Sequence, residues 1–378
     1  MSRAAAYGFP KELSALVIAP AEDICLKMRK THRWLLFIVG AVVLIGTIQT
    51  ARHFFREEER EARIRMRQTI MEEFPDAVKE ITAAYGLRPL ATPSGPSASG
   101  ASRSVVILVH GLDDPGKIWM NLAPALIRDD FAVWILTYPN DQSVVDSALF
   151  FLAELSASAL ARTDRVSIVA HSMGGLVTRE MLTDPALDYA GKKESGELPA
   201  VDRFIMVGTP NHGSELARLR AFTEFRDQLA NLFKKDYHWL QGIVDGAGEA
   251  GIDLLPGSAF LQRLNSRPHP ANVHMLVVAG VMSPKSKQEI KELAHRLEQR
   301  LPDPAQGSAR KMSEGLIAMT EQIGDGLVSV ESARLPGVPL KTVQGTHLSI
   351  IRNLSTESQR VPSAIPVIRE AFGQASPE

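Results

Sequence analysis

The spacing of hydrophobic positions changes along the chain, and the first distinct pattern is an uninterrupted apolar run. Trp34–Ala51 reads WLLFIVGAVVLIGTIQTA and contains no charged residue. As a helix, this run of about 18 residues rises ~27 Å, close to the hydrocarbon thickness of a bilayer. We predict a single-pass transmembrane helix at 34–51, after a tail of residues 1–33. The alternatives are a buried core helix and a cleaved signal peptide, although Ile48 and Gln49 stand where a cleavage site needs small residues.

Basic residues flank this span on both sides and do not settle its orientation. Those before it are Lys27, Arg29, Lys30 and Arg33, and those after it are Arg52, Arg56, Arg60, Arg63, Arg65 and Arg67. The positive-inside rule counts both groups. Because an N-terminal anchor more often leaves its tail in the cytoplasm, we expect the C-terminal domain on the extracytoplasmic side.

A charged segment and a linker follow the apolar run. Residues 52–91 are dense in Glu, Arg, Ala and Ile, and they predict a helical stalk with a break at Pro75. Residues 92–103, TPSGPSASGASR, have nothing to bury and predict a flexible linker. We therefore place one folded domain at 104–378.

Beyond the linker, short apolar runs alternate with helical patterns. Val105–Val109 reads VVILV, as a strand buried on both faces should. Further strands are predicted at Ala132–Thr137, Val166–Val169, Phe204–Val207, His274–Ala279 and Leu340–Val343. Helices are predicted between them, including Trp119–Ile127 and Val144–Leu160. Strands separated by helices form a parallel sheet covered on both faces, and ligands bind at the carboxyl ends of its strands.

Composition narrows the classes of function. The chain of 378 residues has 42 Lys and Arg against 43 Asp and Glu, so its formal net charge of -1 gives no reason to expect a nucleic acid as partner. Hydrophobic residues make up 45%, which is typical of a globular protein. The single cysteine, Cys25, excludes an intramolecular disulfide and a zinc site built on cysteines.

One serine stands between a predicted strand and a predicted helix. The segment AHSMGG, residues 170–175, follows RVSIV and precedes GLVTREML. A sharp turn there strains the serine backbone and exposes its hydroxyl above the sheet, provided that the residues two before and two after are small. Ala170, in place of the usual glycine, and Gly174 meet that requirement. We predict that Ser172 is a nucleophile; a serine that only caps the next helix is the alternative.

Backbone amides near this serine form a candidate oxyanion hole. His110-Gly111-Leu112 follows the opening strand, where a tight turn can present a backbone N–H. We predict that the amides of Leu112 and Met173 stabilise the oxyanion, an interaction worth roughly 3 kcal/mol per donor. A plain turn at the end of the strand is the alternative.

An aspartate and a histidine complete a candidate triad. Asp325 lies between two glycines in GDGLVSVESARLPG, and His347 follows the last predicted strand in GTHLSI. An ordinary Asp-Gly turn is the alternative for the first of these segments. Other candidates for the acid are Asp202, Asp245 and Asp253.

Five segments together resemble the α/β-hydrolase lipases and esterases, including the group similar to the membrane-associated GPI inositol-deacylases. They are VVILVHGL, AHSMGG, MVGTPNHGS, GDGLVSVESA and GTHLSI, within a similarity that spans residues 104–372. The resemblance implies an α/β-hydrolase fold, with Ser172 as nucleophile, Asp325 as acid and His347 as general base. This fold uses the same chain order of Ser, Asp and His.

The resemblance also implies a function. Together with the predicted anchor, which lies outside the resemblance, it indicates a membrane-anchored hydrolase of carboxylic esters, lipid-like or small, that acts through an acyl-enzyme on Ser172. No metal and no organic cofactor is expected, and the bilayer is the partner expected besides the ester. The alternatives are an acyltransferase with the same triad and a catalytically silent, anchored scaffold. His171 and His212 are expected to be pocket or structural residues.

A long insertion is predicted at about 214–268, between the sixth and seventh strands of that fold. Apolar residues recur in it at helical spacing, namely Leu216, Leu219, Phe222, Phe225, Leu229, Leu232 and Phe233. We interpret it as a helical cap packed on the body. A mobile lid over an acyl pocket is the alternative.

Overall fold

The computed structural model describes residues 83–91, 103–112, 117–139, 142–214, 249–283, 287–299, 307–355 and 357–373. All of them belong to the second of the two units into which the chain divides, Arg63–Glu378. Several predicted segments lie outside the described residues. They are the tail, the transmembrane helix at 34–51 and most of the stalk and the linker. Within the described ranges, no helix combines the length and the apolar character needed to cross a membrane.

Seven strands form one sheet in the described part of the chain. They are β1 (Gly86–Ala91), β2 (Val105–Val109), β3 (Ala132–Thr137), β4 (Arg165–His171), β5 (Ala200–Val207), β6 (His274–Val281) and β7 (Leu340–Gln344), in the order β1-β3-β2-β4-β5-β6-β7. β2 to β7 run parallel, and β1 pairs antiparallel with β3 at the edge. The predicted parallel sheet is confirmed, and β2 is buried at every position, as its β-branched sequence predicts.

The described helices cover both faces of the sheet. They are α1 (Leu122–Arg128), α2 (Val144–Ala157), α3 (Met173–Thr183), α4 (Tyr189–Glu194), α5 (Glu249–Asp253), α6 (Ala259–Ser266), α7 (Lys287–Glu298), α8 (Ser308–Ile323), α9 (Val330–Ala333) and α10 (Ala364–Ala371). One apolar core joins α2, α3 and α6 to one face, and a second joins α1 and α10 to the other. Alternate residues of β2 enter the two cores, Ile107 the first and Leu108 the second.

The start of the sheet corrects the predicted domain boundary. Gly86–Ala91, which we predicted as the end of a helical stalk, is the edge strand β1, so the sheet begins before residue 104. Leu87 is buried, and its amide donates to Glu154 of α2. Pro89 is tolerated because an edge strand leaves one row of its backbone groups unpaired. Local composition favoured helix here, but pairing with the distant β3 fixes a strand.

The predicted insertion lies between β5 and β6, the strands that were predicted at Phe204–Val207 and His274–Ala279. Five strands of the described sheet precede it, and α5 and α6 form its second part. Its first residue is tied to this second part, because the amide of Ser214 donates to the carbonyl oxygen of Leu254. Residues 215–248, which carry the predicted apolar stripe, lie outside the described residues.

The architecture is that of an α/β-hydrolase-like fold. Helices cover both faces of a mostly parallel sheet, and a serine occupies the turn between strand β4 and helix α3. The first strand is antiparallel, and the others direct their carboxyl ends to one edge of the sheet. That edge is where a ligand site is expected.

Candidate active site

Ser172 occupies the turn between β4 and α3. Its backbone has φ 53° and ψ −128°, a region that residues with a side chain rarely adopt. Its amide donates to the carbonyl oxygen of Val207 at 2.9 Å, which ties the turn to the end of β5. α3 begins at Met173, so the amino end of that helix lies directly beside the serine.

The two glycines after Ser172 allow the close packing of α3. A Cβ on Gly174 would lie 2.4 Å from the carbonyl oxygens of both Val109 and His110. A Cβ on Gly175 would lie 2.1 Å from the hydroxyl oxygen of Thr209. Any side chain at either position would therefore push the helix away from the ends of β2 and β5.

The turn after β2 touches the serine. A Cβ on Gly111 would lie 2.7 Å from the Cβ of Ser172 and 3.3 Å from its Oγ. In the described part of the chain, no group accepts a hydrogen bond from the amide of Leu112 or from that of Met173. Met173 is the first residue of α3, and an amide there has no acceptor within its own helix. Two amides without an acceptor among the described residues therefore follow directly after Gly111 and Ser172, the two residues that touch.

His347 and Asp325 form a buried pair. The Nδ1 of His347 donates to the Oδ2 of Asp325 at 2.8 Å, and the amide of His347 donates to the carbonyl oxygen of Asp325 at 2.9 Å. The Oδ1 of Asp325 accepts from the amides of Leu327 and Val328, at 2.9 and 2.8 Å. Because a carboxylate only accepts, Nδ1 carries the proton and Nε2 is left as the basic nitrogen.

This pair and the serine meet at the end of β5. A Cβ on Gly208, which has φ 59°, would lie 3.2 Å from the Oδ2 of Asp325 and equally close to the ring of His347. Val207, the preceding residue, accepts the hydrogen bond from the amide of Ser172. Two consecutive residues at this strand end therefore lie beside all three predicted triad members.

The other two histidines of the sequence motifs differ in environment. His171 is buried, and its Nε2 donates to the carbonyl oxygen of His347 at 3.0 Å, with 4.6 Å between the ring centroids. Burial lowers the pKa of His171 well below its ordinary value, and the neighbouring His347 lowers it further. His212 is exposed, with its Nε2 3.1 Å from the carbonyl oxygen of Arg334.

The other candidate acids have other partners. Asp202 accepts from the hydroxyl of Ser167 at 2.7 Å, and Asp253 accepts from the amide of Val144 at 2.9 Å. Asp245 lies outside the described residues. The described residues contain no group of three or more His, Cys, Asp or Glu side chains that is arranged to hold a metal ion.

Sequence reasoning missed a buried polar network behind the serine. The guanidinium of Arg179 on α3 donates to Asn211 at 3.0 Å, and Asn211 donates to the carbonyl oxygen of Ala333 at 2.7 Å. The next residue, Glu180, accepts from Arg267 at 2.7 Å. Two charged residues within the mostly apolar GLVTREML were the available signal.

A cavity of about 710 Å³ lies beside the loop that carries Asp325. Gly326 and Leu327 of this loop line it, together with Ser214 and Ile323. The hydroxyl of Ser214 donates to the carbonyl oxygen of Leu327 at 2.6 Å, so the first residue of the insertion is fixed to the same loop. Ser172 and His347 do not line this cavity.

Comparison with known proteins gives a family model and several solved structures. Residues 147–312 match a model described as a domain of unknown function, DUF7379. No curated protein matches the sequence. The mature form of lipase BlEst2 from Bacillus licheniformis shares 18% identity, covering 76% of this chain and 98% of that chain, with a TM-score of 0.49.

Two further structures show a likeness of the same order. The metagenomic carboxyl esterase MGS0156 shares 19% identity over 76% of this chain and 77% of its own, with a TM-score of 0.47. Phospholipase PlaB from Legionella pneumophila shares 19% identity over 71% of this chain and 59% of its own, with a TM-score of 0.45. Such distant likenesses do not assign the chemistry, which must follow from the atoms of the site.

Proposed function

We propose that this protein is a serine hydrolase that cleaves carboxylic esters through an acyl-enzyme on Ser172. One arrangement supports this activity above all. A serine in a strained strand–helix turn and a histidine bound to a buried carboxylate both contact the Val207–Gly208 end of β5. Nucleophile, base and an acid that orients the base are the groups that acyl transfer through a serine requires.

Acylation follows from the hydrogen bonds of the pair. The Nε2 of His347 takes the proton of the Ser172 hydroxyl as Oγ bonds to the acyl carbon, and the π electrons of the carbonyl move to its oxygen. The amides of Leu112 and Met173 stabilise that oxyanion. When the carbonyl re-forms, the ester C–O bond breaks and the alcohol leaves with the proton from His347.

Deacylation repeats these steps with water. His347 takes a proton from water as its oxygen attacks the acyl carbon, and the proton returns to Oγ as the carboxylic acid leaves. Asp325 stabilises the imidazolium in both halves of the cycle, because the Oδ2 of its carboxylate accepts from Nδ1.

We further propose that the natural ester is lipid-like and that the chain acts at a membrane. Two features of the sequence support this: the apolar run at 34–51 and the apolar stripe within 215–248. The resemblance to GPI inositol-deacylases favours the same class of substrate. We place the folded domain on the extracytoplasmic side of that membrane.

The nucleophile is tested with a fluorophosphonate probe on the full-length protein. We expect covalent labelling of the wild type and none of Ser172→Ala, with melting temperatures that differ by a few degrees at most. Ser195→Ala, at an exposed serine outside the site, is the matched control and should label normally. A folded but unlabelled wild type would favour the scaffold alternative, and labelling of Ser172→Ala would identify another serine as the nucleophile.

Hydrolysis is separated from acyl transfer by the fate of the acyl group. In water enriched in ¹⁸O, a hydrolase releases an acid with one heavy oxygen derived from the solvent. A transferase supplied with a long-chain alcohol forms a new ester without that oxygen. We expect the labelled acid to dominate; a dominant ester product would establish the transferase alternative.

The anchor is tested by fractionation of the full-length protein. We expect it to remain with membranes after carbonate extraction and to enter the soluble fraction when residues 34–51 are deleted. Release of the wild type by carbonate would contradict a transmembrane helix. Protease treatment of intact cells or spheroplasts then reports on which side the folded domain lies.

A further inference from the structure

His110, at the end of β2, is held more tightly than a plain turn requires. The residue is fully buried, and its ring stacks on that of Tyr138, with 4.5 Å between centroids and 22° between planes. The hydroxyl of Tyr138 donates to the carbonyl oxygen of His110 at 2.8 Å. Ring and backbone of His110 are thus fixed by the same neighbour.

In the described part of the chain, the ring of His110 makes one hydrogen bond, and it goes to the next peptide. The Nδ1 of His110 lies 2.7 Å from the carbonyl oxygen of Gly111. Because a carbonyl only accepts, Nδ1 carries the proton and Nε2 does not. Burial lowers the pKa of His110 to about 4, so the ring is neutral near pH 7.

The other ring nitrogen is left unsatisfied. Nε2 is buried and has no hydrogen-bond partner in the described part of the chain. A buried polar atom without a partner lowers stability, and an apolar side chain would avoid that loss. The histidine at this position is therefore explained by the hydrogen bond that its Nδ1 donates, because its ring does not stabilise the core better than an apolar side chain would.

The carbonyl that Nδ1 holds belongs to the peptide whose amide is Leu112 N–H. In a trans peptide the C=O and the N–H point in opposite directions, so fixing one fixes the other. Gly111 itself touches Ser172, because a Cβ on it would lie 2.7 Å from the serine Cβ. The N–H of Leu112 has no acceptor among the described residues.

We propose that His110 is a positioning residue of the oxyanion hole: through its bond to Gly111, it orients the amide of Leu112 toward the carbonyl oxygen of an ester bound at Ser172. This inference rests on the proposed ester hydrolysis and adds a residue to its machinery. His110 does not touch the substrate and exchanges no proton in the cycle.

The need for such a residue follows from the glycine. Ser172 excludes any side chain at position 111, yet glycine is the residue whose backbone rotates most freely. An oxyanion donor is effective when it is already oriented before the reaction, so a peptide that flips would lose most of its value. A side-chain donor on the preceding residue restores the rigidity that the glycine gives up.

Two variants of nearly the same shape separate the hydrogen bond from the packing. In His110→Asn the amide nitrogen is bonded to Cγ, as Nδ1 is, and donates from the same place; His110→Leu has the same branch without a donor. For a short p-nitrophenyl ester we expect kcat to fall about 100-fold in His110→Leu, with KM changed less than about threefold, and to stay within about fivefold of wild type in His110→Asn. Both variants lose the stack on Tyr138, so melting temperatures should fall alike.

A transition-state analogue gives a second readout. A trifluoromethyl ketone adds to a serine hydroxyl and leaves an oxyanion where the tetrahedral intermediate has one. Its inhibition constant should weaken in His110→Leu by about the same factor as kcat/KM falls, because both report the oxyanion. If the two variants are equally impaired, or if His110→Leu is as active as wild type, the orienting bond is refuted.

A spectroscopic test does not depend on activity. In the full-length chain labelled with ¹⁵N-histidine, the signal that disappears in His110→Asn should show a protonated Nδ1 and an unprotonated Nε2. The opposite tautomer would overturn the inference even for an active enzyme. Should the wild type cleave no ester, the proposed function fails on that ground, and the tautomer alone decides whether His110 holds the peptide.

Discussion

Asp325 and Glu180 are two buried carboxylates with very different surroundings. Asp325 accepts two backbone amides on one oxygen and the Nδ1 of His347 on the other. Glu180, on the helix that follows Ser172, accepts from the guanidinium of Arg267 at 2.7 Å. Only 2% of Asp325 and 1% of Glu180 is exposed, so burial does not distinguish the two carboxylates.

The difference lies in what can change at each site. Asp325 is stabilised by fixed amide dipoles, and its second oxygen accepts from the ring of His347, which takes and returns a proton in the proposed cycle. Glu180 faces the guanidinium of Arg267, which stays positively charged at all ordinary pH values. The two carboxylates are thus distinguished by their partners, an imidazole for Asp325 and a guanidinium for Glu180.

The largest effect that separates the two is on turnover. Asp325→Asn should lower kcat by about 10⁴-fold, because an amide in place of the carboxylate favours the wrong tautomer of His347. Glu180→Gln should stay within about threefold of wild type under the same assay, since it touches no group of the triad. Steady-state kinetics on a soluble ester measures both, and similar losses in the two variants would erase the distinction.

The next effect is on stability. Arg267→Leu should lower the free energy of unfolding by about 3 kcal/mol at pH 8, because it leaves the carboxylate of Glu180 buried without its cation. Arg263→Leu, at an exposed arginine of the same segment, should change it by less than about 0.5 kcal/mol. Urea unfolding of both variants makes the measurement; equal losses would show that the pair is not what stabilises this region.

The smallest effect is on the pH dependence of stability. Burial, followed by a hydrogen bond with Asp184, raises the pKa of Glu180 from 4.5 to about 7, so the folded state binds this proton more tightly than the unfolded one. The free energy of unfolding should therefore fall as pH rises from about 4.5 to 7. In Glu180→Gln this fall should shrink by on the order of 2 kcal/mol. Urea midpoints at pH 5 and pH 8 test it, and an unchanged slope would assign the titration to other groups.

The local sequence was sufficient to predict the residues whose positions depend on the ends of strands. The serine follows β4 and the histidine follows β7, and parallel strands bring such positions to one edge. The aspartate lies in the loop between α8 and α9, so only its motif indicated it. The site residues could therefore be predicted from the hydrophobic periodicity and the sequence motifs. Their roles stay predictions until the variants are measured. The membrane span at 34–51 and the apolar stripe of the insertion stay predictions as well.

Contacts between distant segments could not be predicted from the local sequence. β1 is a strand because it pairs with β3, which lies more than 40 residues further along the chain, and nothing within GLRPLA requires it. The charges of Arg179 and Glu180 interrupt an apolar helix, and their partners Asn211 and Arg267 come from other loops. The bond of His110 to the adjacent peptide depends on a ring orientation that Tyr138 sets.

The strained backbone of Ser172 has a consequence for how this position evolves. At φ 53° a glycine would fit better than any residue with a side chain, so the fold alone selects against serine there. Under the proposed function, serine is retained here for its hydroxyl, and a descendant without the activity would gain stability by replacing it. Loss of activity at this site would then be hard to reverse, because each step back toward serine is opposed by folding.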